Sequence, residues 1–175
     1  MAAILEPTAP RHPDTSITLF TRRGNKIDNI QGWELSNHQL SLLPNNLNRF
    51  GPPFVKFLTK DGCPVYNCHG LTFGSRRTSV EASNKTINLI IQDDGFEEVK
   101  PADVQEGDIV IYYDEDGEVQ HSGIVVEMMR SASLASSVPK VWSKWGLAQE
   151  TVHHFKTMPY NNVEPKYFRM TRWKP

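Results

Sequence analysis

Cys68 and His121 are the two side chains whose types and surroundings could do nucleophilic chemistry. Cys68 stands in "VYNCHGLTFG", after an asparagine and before a histidine, glycine and an apolar run. A thiol works as its thiolate, so it needs a neighbour that takes its proton. His69 is adjacent in sequence but points off at about 100° around a helix, which makes it a poor base for Cys68. His121 begins "HSGIVV" after a hairpin signal, and a strand can hold an imidazole in one rotamer. A third polar group normally orients such an imidazole, and His153, His154, Ser143 and Glu150 follow on later segments. His153 and His154 are adjacent, so on one strand only one of them can face the site.

These groups need elements to carry them. Asn67 reads as an N-cap that opens a helix with Cys68 in its first turn. "SITLFTRR", residues 16–23, alternates as a strand, and "NHQLSLLPNNLNRF" has helical spacing that Pro44 must start, end or kink. "TINLIIQ" is open between helix and strand. "GFEEVK", "DIVIYY", "VQHSGIVVEMM", "KVWSKWG" and "QETVHHF" read as strands, with "DEDGE" as a hairpin turn and "FRMTRWKP" as a last strand or edge. Residues 1–15 are expected to form a flexible arm. Residues 16–175 form a single α+β domain, a cysteine-bearing helical part followed by antiparallel strands.

The segments "YNCHGLTFG", "GDIVIYYDEDGEVQHSGIVV" and "VWSKWGLAQETVHH" together resemble the papain-like cysteine hydrolases of the NlpC type and the related CHAP amidases. The resemblance spans about Val65 to Phe155, with a hydrolase-like core over about 62–160. It implies a helix bearing the cysteine packed on an antiparallel sheet, with Cys68 as nucleophile, His121 as general base and His153 as the third residue. His154 and Ser143 are the alternatives for that last role. Asn67 and Trp145 are expected to contact substrate, a peptide or another amide such as a cell-wall peptide. The other expectation on this scaffold is a non-catalytic module that binds a peptide or ligand.

Composition narrows the partners. Among 175 residues, Lys and Arg total 19 against 20 Asp and Glu, and the formal net charge is -1. Scattered, balanced charge argues against a basic groove driven by phosphate neutralisation and against a polybasic membrane patch. No secretory h-region or membrane-length apolar run is present, so the expectation is a cytoplasmic protein or one exported without a classical signal peptide. Cys63 and Cys68 close too short a loop for a useful disulfide and read as thiols, with Cys63 structural or incidental. Cys63, Cys68, His69 and His121 lack the paired spacing of a zinc site, so no metal and no cofactor are expected. Arg76, Arg77 and the basic tail fit either an anionic partner or a solvated face.

Overall fold

In a computed structural model the protein is built around one antiparallel sheet. The structure describes residues 15–51, 53–130 and 137–171. The elements run β1 (Asn29–Ile30), α1 (Asn37–Arg49), β2 (Val55–Phe57), α2 (Cys68–Gly74), β3 (Ser79–Val80), α3 (Asn84–Asp94), β4 (Phe96–Val99), β5 (Ile109–Tyr113), β6 (Val119–Arg130), β7 (Ser137–Lys144), β8 (Glu150–His154) and β9 (Glu164–Met170). The seven-stranded sheet has the order β2-β8-β7-β6-β5-β9-β4, and β1 pairs separately with β3.

β5 shows why the sheet is covered on both sides. Its run "IVIYY" is apolar throughout, as a strand buried on both faces must be. Ile109 and Ile111 join Val80 and the α3 residues Ile87 and Ile90 in one core cluster. Val110 and Tyr112 point the other way and join Val125, Val141, Trp145 and Tyr167 in a second. Between β5 and β6 the turn is set by Asp114, whose carboxylate accepts the backbone N–H groups of Asp116 and Glu118 at 3.0 and 2.9 Å, while Gly117 supplies a φ of +78°.

The α+β, papain-like expectation is corrected here. Among the described residues the sheet dominates, and the α-helices have only 13, 7 and 11 residues. α2 stops after two turns because Ser75 and Arg76 both adopt positive φ, 51° and 63°, which breaks the helix where glycine is absent. The expected strand over 16–23 is also absent: Phe20 makes only an isolated bridge, to Lys26. "TINLIIQ" resolves as part of α3, capped by Ser83 and closed by Gly95 at φ +76°. Pro44 lies inside α1, which continues through it to Arg49. Except for Thr15, the expected arm lies outside the described residues, as do residues 172–175 of the basic tail. Among the described residues, no helix is long and apolar enough to cross a membrane.

Candidate active site

The site starts from the cap of α2. Asn67 is extended, and its side-chain oxygen accepts the N–H groups of Gly70 at 2.8 Å and Val80 at 3.2 Å. Its amide donates to the Val80 carbonyl at 2.9 Å, so one side chain starts the helix and pins it to β3. Gly70 allows the close approach, since a Cβ there would lie 1.9 Å from the Thr78 carbonyl oxygen. The expected substrate contact at Asn67 is therefore occupied by structural bonds.

Cys68 is the first residue of α2 and is 4% exposed. Burial pushes its thiol up to about 11. The backbone N–H groups of Ser122, His69 and Cys68 itself face the sulfur and pull the other way, with a smaller pull from the Lys144 ammonium. Lys144 is itself buried and is brought down to about 8 by desolvation; its Nζ donates to the carbonyls of Gly146 and Ala148 at 3.3 and 3.0 Å.

A chain of hydrogen bonds locks α2 onto β6. Thr72 donates its hydroxyl hydrogen to the Cys68 carbonyl at 3.0 Å, so its oxygen must accept from Ser122 at 2.9 Å. Ser122 has then spent its hydrogen and accepts from His69 Nδ1 at 2.8 Å. This assigns the proton of neutral His69 to Nδ1 and leaves a lone pair on Nε2, which is buried without a partner among the described residues. Burial lowers His69 to about 4, so it stays neutral at pH 7.

Because Ser122 turns its side chain to α2, alternation along β6 sends the His121 ring to the opposite side of the strand. There it lies across from Tyr112, with ring centroids 5.6 Å apart, and stacks on Tyr160 at 4.5 Å and 26°. His121 is fully buried, and among the described residues neither of its ring nitrogens has a hydrogen-bond partner. Burial holds it well below the ordinary imidazole range, and nearby His153 and His69 add to the shift. No hydrogen bond joins Cys68 to His121, but Tyr160 is a neighbour to both. Its ring stacks on the imidazole, and its phenol, raised by burial, is raised further by negative charge on Cys68.

The third-group candidates separate. His153 Nδ1 donates to the His154 carbonyl and Nε2 accepts from the Ser143 hydroxyl, both at 2.8 Å. His153 is buried and lowered to about 4 by desolvation. His153 and Ser143 thus satisfy each other, and neither bonds His121. His154 is half-buried on the other face, with its ring against Phe155 and Phe54 at 4.8 and 6.4 Å. Glu150 accepts from Arg76, Trp142 and Tyr66. Burial pushes its carboxyl up, and these hydrogen bonds outweigh it and bring it below the usual range. Arg76 also lies over Trp142 at 4.5 Å, so this cation serves an internal carboxylate. Trp145, expected to touch substrate, is 3% exposed and packs edge-on against Phe50 and Phe57 at 4.9 and 5.6 Å. Cys63 is a half-buried free thiol whose backbone N–H bonds the Leu147 carbonyl.

Tyr160, Ser122 and Lys144 were missed by sequence reasoning. "SKWG" signals the last of these, because Lys144 alternates with Ser143 on a doubly buried strand. Tyr160 sits in "MPYNN", where no periodicity marks it. Among the described residues no group of three His, Cys, Asp or Glu could hold a metal ion. Comparisons with protein-family models, with curated proteins and with solved structures found no match to this chain.

Proposed function

We propose that the chain is a cysteine-dependent hydrolase of amide or peptide bonds, with Cys68 as nucleophile and His121 as general base. One observation carries the reading. The Cys68 sulfur faces the backbone N–H of Ser122, the residue next to His121, whose buried imidazole has no hydrogen-bond partner among the described residues. Buried polar nitrogens without partners are rare and call for an explanation, of which a catalytic role is one.

At rest both groups are neutral, so the thiol gives up its proton as the carbon–sulfur bond forms. No hydrogen bond joins the two at rest, so the thiol proton passes to the imidazole once they have moved within hydrogen-bond reach, and the sulfur then adds to the carbonyl carbon. The carbonyl electrons move onto oxygen, where backbone N–H groups facing the sulfur are placed to receive the charge. Collapse expels the amine, which takes the proton from the imidazolium and leaves a thioester on Cys68. Water then adds, giving its proton to the imidazole, and the carboxylic acid departs as the thiol is restored. His153 stands behind Ser143, where it supports the wall of the site.

The second reading is a non-catalytic module that binds a peptide or small ligand on the same sheet. It is favoured by the burial that leaves Cys68 4% exposed and its thiol raised. Alkylation by iodoacetamide, followed by peptide mapping at neutral pH, separates the two. The hydrolase reading expects replacing His121 by alanine to slow labelling of Cys68 by about 10-fold or more, within the usual range for a lost general base. It also expects amine release from a peptide library to vanish in Cys68→Ala and persist in Cys63→Ser. Labelling of Cys68 that ignores His121→Ala, with no amine release from the wild type, leaves the binding module in place.

A further inference from the structure

His121 and Cys68 are buried, and chemistry on an external amide needs a route to them. Tyr112 and Tyr160, whose rings neighbour His121, also line a pocket of about 390 Å³ together with Met158, Asn161, Asn162 and Glu164. Tyr160 belongs to both places. Its ring is half-buried, lining this pocket while stacking on His121 at 4.5 Å. Its phenol oxygen faces inward toward Gly146, where the Cβ position of the glycine lies 3.9 Å away.

The post against which Tyr160 closes is rigid, and it is built by "SKWG". Gly146 holds φ +60° in a turn closed by backbone bonds from Trp145 to Gln149 and from Ala148 to Trp145, at 3.0 and 2.9 Å. Lys144 ties the carbonyls of Gly146 and Ala148 from below, and Ser143 is fixed by His153. Tyr160 itself is carried by the connection between β8 and β9, and the neighbouring Asn161 and Asn162 are exposed. A side chain on an irregular connection, set against a braced turn, has the parts of a gate in mechanical terms.

We propose that the pocket beside Tyr160 admits the amide substrate and that the Tyr160 ring is the gate between it and the Cys68–His121 pair. The substrate assignment rests on the hydrolase reading, whereas the gate concerns access to the sulfur. The side-chain amides of Asn161 and Asn162, with the carboxylate of Glu164, give the pocket donors and acceptors suited to a polar, peptide-like group. Swinging the ring outward would uncover the imidazole face it stacks on and, on this proposal, open the way to the sulfur.

Iodoacetamide, a small primary amide, is the probe. The sulfur displaces iodide, so a carbon–sulfur bond forms, the carbon–iodine bond breaks, iodide leaves with the electron pair, and the thiol proton is lost to base or solvent. Tyr160→Ala should raise the labelling rate of Cys68 by about 10-fold or more, because reactivity scales with the fraction of molecules that are open. Cys63 in the same sample is the reference and should not change. Tyr160→Phe keeps the ring over His121 but loses the oxygen at Gly146, so its increase should be smaller. Asn161→Trp, at an exposed position, should fill the pocket and slow Cys68 selectively, and it guards against a Tyr160 variant that fails to fold. Unchanged Cys68 labelling in a folded Tyr160→Ala, or in Asn161→Trp, overturns the gate. If Tyr160→Ala accelerates labelling while His121→Ala has no effect, the gate stands and the assigned base falls. The reverse pattern keeps the base and removes the gate.

Discussion

Cys68 is a thiol in the wrong charge state for a simple nucleophile. With its pKa near 11, the thiolate fraction at pH 7 is about one part in ten thousand. The alkylation rate of Cys68 should therefore keep climbing about tenfold per pH unit past pH 9, where an ordinary thiol near about 8.5 would already level off. Stopped-time labelling with peptide mapping between pH 7 and 10.5 measures this. A plateau below pH 8.5 would mean that the facing N–H groups outweigh burial and that a standing thiolate exists. Part of this environment was legible in the sequence, since an asparagine cap acts within three residues of itself. The hydrogen-bond chain from His69 through Ser122 and Thr72 was not, because it depends on which face β6 turns to α2. The same alternation settles the position of His121, whose residue type was readable but whose stacking partner Tyr160 lies 39 positions on in an aperiodic loop.

At the scale of elements, α2 is too short to hold itself in place: a seven-residue helix in water is unstable without tertiary support. Asn67 supplies that support through its bonds to Gly70 and Val80. Replacing it with alanine removes the cap and leaves both backbone groups of Val80 without these partners, an expected loss of about 2–4 kcal/mol. Asn67→Asp keeps the acceptor and should lose less. Urea unfolding of the two variants measures the difference. A loss for Asn67→Ala within about 0.5 kcal/mol, the usual scatter of neutral surface changes, would show that α2 is held by packing alone. The strands from β5 to β8 were readable because β-branched runs and turn residues are local signals. Residues 16–23 alternate just as well, yet their backbone bonds close a local turn, Thr21 with Asn25 and Leu19 with Ile27, instead of extending the sheet. The papain-like expectation failed for a related reason: motif order constrains neighbours along the chain, while helix length and strand number are set by pairing that the motifs do not specify.

Over the whole molecule, His69, His121 and His153 are unusual in being fully buried, all in neutral form. Protonating them in the fold means placing a cation where desolvation is severe, so each binds its proton far more weakly folded than unfolded. The unfolded chain takes up protons below about pH 6.5, while folded His69 and His153 do so only near about 4. The stability these groups contribute is therefore fully present above 6.5 and is lost as pH falls toward 4. At pH 5 the linkage relation gives a loss of about 2 kcal/mol for each of these two histidines, together a large share of a typical domain's margin. Glu150 and Asp93, whose carboxyls are held below their usual range, add their losses below about pH 5, so the interval from about 6.5 to 5 reads chiefly the imidazoles. Urea unfolding at pH 7.5 and pH 5.0 should show a drop of about 4 kcal/mol or more. In His153→Gln, whose side chain can still accept from Ser143, the drop between the two pH values should shrink by about 2 kcal/mol whatever the variant's stability at pH 7.5. An unchanged drop in that variant would place the titrating imidazole elsewhere, and no drop in the wild type would mean that the histidine-lined core opens to water well before the protein unfolds.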